Sequence, residues 1–253
     1  KIKLILVTFL KRQHNWNIYK ACFSIYFMEV QEGKTYLTVP HAGGKIAFEY
    51  PAFKGTYANV AEQIDKAGLK RPNSAETASL VYDAWKNQKG EKESEIISIL
   101  KNNWLWEYTG NLYLPKSNEE ISNGVILEIN PKIINGKLAM DKNSLVQRLK
   151  ENDPLVKFVP FGFKIKEQNL IELQKNPYII ARYGKEGAEK IAEIASKYKN
   201  NPYVNIFNSV NKEETRMSAL DNFWSFNDGL DVNGSIWYSY NRGRACGVCS
   251  KEK

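Results

Sequence analysis

Few side chains in this sequence are of the types that carry out catalysis. Its only histidines are His14 and His41, and its only cysteines are Cys22, Cys246 and Cys249. A serine or cysteine nucleophile would therefore depend on a histidine that no motif surrounds. The sequence patterns of phosphate-binding loops, dinucleotide-binding turns, zinc proteases and serine-hydrolase elbows do not occur in it. These residue types favour binding over catalysis.

The same residues argue against a metal or redox centre. Cys246 and Cys249 form one Cys-x-x-Cys pair, whereas a zinc site needs about four ligands. A redox pair normally lies between a strand and a helix, so two reduced cysteines near a terminal strand are the favoured interpretation. Asp221, Asp228 and Asp231 could gather round a cation, but acids beside Gly and Asn are more typical of turns. We predict neither a metal nor a cofactor.

The stretch Ser218–Arg244 has a composition unlike the rest of the chain. Sixteen of its 27 positions are Asn, Asp, Ser, Gly or Tyr, and four more are Phe223, Trp224, Phe226 and Trp237. Rigid aromatics among Ser, Gly and Asn are typical of antibody contact loops, so we predict a ligand-binding surface. Its candidate residues are Asp221, Asn222, Trp224, Ser225, Asn227, Asp228, Asp231, Asn233, Ser235, Trp237, Tyr238, Ser239, Tyr240 and Asn241.

Two other interpretations of this stretch stay open. In the first it is a loop-rich part of the core, which we favour for Phe223, Phe226, Leu230 and Ile236. In the second it stacks single-stranded nucleic acid on its aromatic rings. Only two arginines supply positive charge within the stretch, which makes nucleic acid the weaker prediction.

Four segments of the C-terminal part resemble the variable proteins of diversity-generating retroelements. They are ALDNFW at 219–224, DGLDVNG at 228–234, IWYSYN at 236–241 and GRACGV at 243–248. That family carries a hypervariable stretch on a C-type-lectin-like fold, and miscopied template adenines change chiefly its Asn codons. The resemblance implies a variable region over 218–244, with Trp224 and Trp237 as platform positions and 243–248 as the unvaried strand that follows.

The resemblance also implies what the protein does. It implies a non-catalytic protein whose ligand is a protein or glycan on another cell or virus. Two features depart from familiar patterns: the disulfides and calcium motif of animal C-type lectins are absent, and ACGVC stands where related sequences often have an aromatic residue. Enzymes of the formylglycine-generating type share this fold and use a cysteine pair, so catalysis through Cys246 and Cys249 is the alternative.

The surrounding sequence predicts an α+β fold that supports this stretch. We expect a hairpin of 34–39 and 45–50, and helices from Tyr57, from a capping box of Asn73 with Glu76, and from Glu95. Trp104, Trp106 and Tyr108 should share one strand face, followed by a turn at 109–111, and a clear helix should cover 187–198. The N-terminal hairpin and helices would occupy 28–103, and the C-type-lectin-like domain 104–253.

Charge and hydropathy argue against nucleic acid and against a membrane span. Residues 1–27 carry five Lys or Arg and no acid, which leaves the rest of the chain near balance despite a net charge of +8. We expect this segment to be a leader or untranslated upstream sequence with Met28 as the true start. It has no convincing signal peptide, and no apolar run reaches membrane length. A soluble protein is predicted, located in the cytoplasm or displayed on a surface or virion through a partner.

Overall fold

The structure is a computed structural model that describes residues 30–31, 34–222, 228–237, 240 and 242–249 of the chain. Helices and sheets are both abundant in this part, which confirms the α+β class. No helix in it is long and apolar enough to cross a membrane. The predicted leader at 1–27 lies outside the described residues, and the predicted boundary at residue 103 stays a prediction.

A three-stranded antiparallel sheet and three helices come first. They are β1 (Val30–Gln31), β2 (Lys34–His41), β3 (Gly44–Tyr50), α1 (Tyr57–Lys66), α2 (Ser74–Lys86) and α3 (Glu91–Asn102). The predicted hairpin is confirmed, because β2 pairs with β3 along its length. Thr56 caps α1, and Asn73 forms the predicted capping box with Glu76 at the start of α2.

The C-terminal strands belong to one nine-stranded sheet. Its members are β4 (Phe53–Gly55), β5 (Trp104–Leu114), β6 (Gly124–Ile129), β9 (Val156–Pro160), β10 (Lys166–Glu167), β11 (Tyr203–Asn205), β12 (Glu214–Asp221), β13 (Asp231–Ile236) and β14 (Gly243–Ala245). The main order is β10-β11-β13-β12-β5-β14-β4, and β6 joins β5 to β9. A small hairpin of β7 (Lys132–Ile134) and β8 (Lys137–Ala139) lies outside it.

Three further helices follow in the second half of the chain. They are α4 (Lys142–Lys150), α5 (Leu170–Lys175) and α6 (Pro177–Ala195). The predicted helix over 187–198 is the second half of α6, whose first half begins directly after Asn176. Gly184 interrupts α6 with φ 73° and ψ 171°, a conformation that glycine adopts without a steric penalty. The sequence did not reveal the first half because this kink breaks the helical period.

Two local predictions are wrong: the start of α3 and the turn at 109–111. Helix α3 begins at Glu91 rather than at Glu95, since Gly90 is its N-cap and acids in the first turn suit the helix dipole. The turn predicted at 109–111 does not exist, because β5 runs straight through it with β6 and β12 paired on its two sides. Gly110 suits a strand here, since a side chain would collide with Met140.

Successive side chains of β5 point to opposite faces of the sheet, where they pack in two different core clusters. Trp104, Trp106 and Tyr108 all pack in one cluster, as their spacing predicted, while Leu105 and Tyr113 pack in the other. Every residue of β5 is buried. The strand is therefore the central support of the C-terminal half.

A substitution at Gly243 tests how tightly β14 packs on this support. A methyl group there would overlap the buried indole of Trp106. We expect Gly243→Ala to lower the free energy of unfolding by about 1–3 kcal/mol in urea denaturation. Gly44→Ala is the control, since only one backbone atom lies within 4 Å of the added group. Equal stability of both variants would contradict this packing.

Candidate functional site

Strands β12 and β13 hold the predicted binding stretch within the sheet. They pair antiparallel, with Asp221 opposite Asp231 and Ala219 opposite Asn233. β12 also pairs with β5, and β13 also pairs with β11. Residues 216–221 of β12 and 231–234 and 236 of β13 are buried, so the accessible side chains of this pair lie near the strand ends and in the connections.

Four candidate binding residues are buried, and the surface prediction is wrong for them. They are Asp221, Asn222, Asp231 and Asn233, and none is more than 8% exposed. Asn222 closes the connection to β13, because its backbone N–H donates to Leu100 O at 2.7 Å and its amide donates to Gly229 O at 3.1 Å. The Asn233 Oδ1 accepts a hydrogen bond from the Ser235 N–H at 3.0 Å. These side chains are structural.

Four other candidates keep contact with solvent. Asp228 is exposed, Ser235 and Tyr240 are half-buried, and the Trp237 side chain is 53% exposed. Asp228 adopts a left-handed turn conformation with φ 46°, which agrees with the turn chemistry of Asp-Gly. Asp228 lies before β13, whereas Ser235, Trp237 and Tyr240 lie at or after its other end; these four accessible positions are together called the candidate surface below.

The remaining candidates cannot be placed. Trp224, Ser225, Asn227, Tyr238, Ser239 and Asn241 lie outside the described residues, as do Phe223 and Phe226. Leu230 and Ile236 are buried, which confirms the core interpretation for those two positions.

Trp237 is held in place by a cation on its face. The guanidinium carbon of Arg216 lies 3.5 Å from the ring centroid of Trp237, and the same group lies 5.2 Å from the Phe207 ring. Arg216 is itself fixed by an ion pair with Glu214 at 2.7 Å. A buried guanidinium against one face orders the ring, and about half of the side chain stays available to a partner.

A buried polar network lies beneath this region, and no sequence motif predicted it. Arg182 of α6 forms an ion pair with Glu107 of β5, and both side chains are fully buried. The hydroxyl of Tyr183 donates to Glu107 at 3.0 Å, and Arg182 donates to Asn233 O at 3.1 Å. The network thus ties α6 to β5 and to β13. Burial raises the pKa of Glu107, and Arg182 opposes that shift.

The network continues through hydroxyl and amide groups. The Tyr178 hydroxyl donates to Asn111 Oδ1 at 2.7 Å, and the Asn111 amide donates to Ser218 Oγ at 2.8 Å. The Tyr113 hydroxyl donates to Gly234 O at 2.8 Å. These bonds satisfy polar groups that would otherwise destabilise the interior. They fix β12 and β13 to the scaffold.

Asp231 is a buried acid of the candidate stretch with a strongly raised pKa. Burial raises its pKa from 3.8 to about 7, against the opposing effects of Arg182 and a hydrogen bond with Asn205. Its Oδ1 has no hydrogen-bond partner among the described residues. The carboxyl group therefore titrates near pH 7 instead of in the acidic range.

The cysteine pair lacks the features of a reactive thiol. Neither Cys246 nor Cys249 forms a disulfide within the described residues; Cys246 is buried, and Cys249 is half-buried. Burial raises the pKa of Cys246 to about 12, whereas a nucleophilic or metal-binding cysteine needs an accessible thiolate. His41 is the last residue of β2, paired with Gly44 of β3, and its Nδ1 is 2.9 Å from Ser79 Oγ. No group of three or more His, Cys, Asp or Glu residues within the described ranges is arranged to hold a metal ion.

Comparison of the chain with protein-family models, with curated proteins and with solved structures found no match in any of the three.

Proposed function

We propose that this chain is a non-catalytic ligand-binding protein that presents a diversified surface on a C-type-lectin-like fold, as retroelement variable proteins do. The observation that best supports the proposal is the setting of Trp237. It combines a solvent-exposed indole with a guanidinium that orders it. Tryptophan and arginine dominate the energetics of protein interfaces, and a ring held in advance loses little entropy on binding.

The candidate surface is smaller than the sequence predicted. Its members are Asp228, Ser235, Trp237 and Tyr240, and the other candidates lie outside the described residues. The buried residues Asp221, Asn222, Asp231 and Asn233 are framework positions under this proposal. Diversification is compatible with folding only where a side chain avoids the interior, because a buried change leaves cavities or unpaired polar groups.

The chemistry of the surface suits a protein or a glycan. An indole covers the apolar face of a sugar ring or fills a protein pocket, while hydroxyl, amide and carboxylate groups adjust the hydrogen bonds around it. The partner class proposed is a macromolecule on another cell or virus. A small buried substrate is a poor match, because the accessible residues lie in strand connections instead of a closed cavity.

A display experiment tests whether this surface can bind and vary. We would randomise Asp228, Ser235, Trp237 and Tyr240 in the full chain and select the library against purified lysozyme. We expect most members to fold, as judged by protease resistance, and selection to yield Kd values below about 1 µM. In each selected clone, alanine at an aromatic of position 237 or 240 should abolish binding.

The matched control is a second library on another exposed segment. Lys116, Ser117, Asn118 and Glu120 are exposed and lie between β5 and β6. This library should fold but yield no binders of comparable affinity. Binders of equal frequency from both libraries, or loss of protease resistance in the first library, would refute the proposed surface.

A further inference from the structure

A cleft on the N-terminal half has the shape and size of a small-molecule site. It lies between β2, the C-terminal half of α2 and the start of α3, and its volume is about 460 Å³. Small-molecule sites commonly occupy about 300–1,000 Å³. Its apolar wall consists of Leu37, Val39, Leu80, Ala84 and Ile96. None of these residues belongs to the candidate surface around Trp237.

One carboxylate lies within this apolar wall. Asp83 lines the cleft and is only 8% exposed. Its side chain accepts a hydrogen bond from the Asn87 amide at 3.2 Å. No lysine or arginine of the described ranges forms an ion pair with it, which is unusual for a buried carboxylate. The described part of the protein therefore supplies no cation that pairs directly with the Asp83 carboxylate.

The other charged residues that line the cleft are also mostly acidic. Glu91, Glu93 and Lys92 complete its charged lining, so carboxylates outnumber cations by three to one. This local excess of negative charge contrasts with a chain whose net charge is +8. A cleft with apolar walls and an excess of carboxylates attracts cations, and an ion pair formed in it becomes stronger once water is displaced.

We infer that this cleft binds a small organic ammonium ion whose apolar body contacts the wall and whose charged nitrogen pairs with Asp83. A primary amine of this kind supplies the cationic partner that the carboxylate lacks, and its carbon skeleton replaces water against the leucine, valine and isoleucine side chains. An inorganic cation would leave that apolar area uncovered. An anionic ligand would meet three carboxylates.

The ionisation of Asp83 should make the affinity for an ammonium ion depend on pH. Burial raises the pKa of Asp83, Glu93 raises it further, and the Asn87 hydrogen bond, Lys86 and Lys190 oppose the shift. An ammonium ion pairs with the ionised form. Affinity for an amine should therefore increase as pH rises through the pKa of Asp83 and then level off, whereas affinity for a neutral analogue should not change.

The test is an NMR titration of the full chain with 2-phenylethylammonium and with 2-phenylethanol. We expect the ammonium ion to bind with a Kd of about 1 mM or below and the alcohol to bind about ten-fold more weakly. Shifted resonances should come from cleft residues. Equal affinities, no ammonium binding at about 10 mM, or shifts confined to other surfaces would overturn the inference.

The decisive variant is Asp83→Asn, which keeps the shape of the side chain and its bond to Asn87. It should bind the ammonium ion about ten-fold more weakly and lose the preference over the alcohol. Glu120→Gln, an exposed site between β5 and β6, should bind as the parent does. If Asp83→Asn fails to fold, the pH dependence of the parent chain decides: a rise for the amine alone supports the site, and a flat profile refutes it.

Discussion

Replacement of Arg182 by methionine is expected to lower the free energy of unfolding by about 3–5 kcal/mol. The change removes the charge that faces Glu107 in the interior, where both side chains are fully buried. It also removes donors to Ser74 Oγ and to Asn233 O. Glu107 would then be an uncompensated buried acid, and its pKa should rise further above its ordinary value. Urea denaturation at pH 7 measures the loss.

A double variant separates the charge from the packing. Arg182→Met combined with Glu107→Met replaces the pair by apolar side chains, which often restores stability at buried ion pairs. We expect partial recovery, because Ser74 and Asn233 still lack their donor. The single variant should also become more stable at pH 5 than at pH 7, since protonation neutralises Glu107. A loss below about 1 kcal/mol in the single variant would contradict this account of the network.

The second large effect concerns pH and Asp231. Its pKa is raised to about 7 in the folded chain, so the folded state binds a proton more tightly than the unfolded state. This contribution favours folding below the unfolded pKa of about 4 and is lost as pH rises toward about 7. Asp231→Asn removes the titration. We expect the variant to gain about 2–4 kcal/mol relative to the parent between pH 4 and pH 7.5.

The difference between variant and parent isolates this group from the other titrating residues. Asp221 lies opposite on β12, Arg182 approaches from α6, and Asn205 bonds to Asp231 from β11. Asp228→Asn is the control, because that side chain is exposed. It should show no comparable pH-dependent gain. A constant difference between Asp231→Asn and parent across this range would refute the buried, raised-pKa interpretation.

Local signals in the sequence were sufficient for several elements. The β-branched and aromatic runs predicted the hairpin strands, the capping box predicted the start of α2, and the alternation of Trp104, Trp106 and Tyr108 predicted one face of β5. Each depends on residues close together along the chain. The turn predicted at 109–111 was wrong because pairing with two distant strands overrides local turn propensity.

The site was harder to predict because composition does not specify orientation. Asp221, Asn222, Asp231 and Asn233 have residue types that are usually exposed. They are buried here because both faces of β12 and β13 are covered by core: Leu220 and Val232 pack in one cluster, and Ala219 and Ile236 pack in the other. Arg182 and Glu107 are 75 positions apart, so no spacing rule links them. Only the exposed positions beside strand ends, such as Asp228 and Trp237, agree with the surface that composition suggested.

The most direct measurement is to sequence the DNA on both sides of the gene. The proposal predicts a reverse-transcriptase gene and a near-copy of the codons for 221–241 that differs almost only at adenines. Differences should fall at the accessible codons for Asp228, Ser235 and Tyr240 and at the undescribed positions. Absence of such a copy, or differences concentrated at the buried codons for Asp221, Asn222, Asp231 and Asn233, would contradict the proposal.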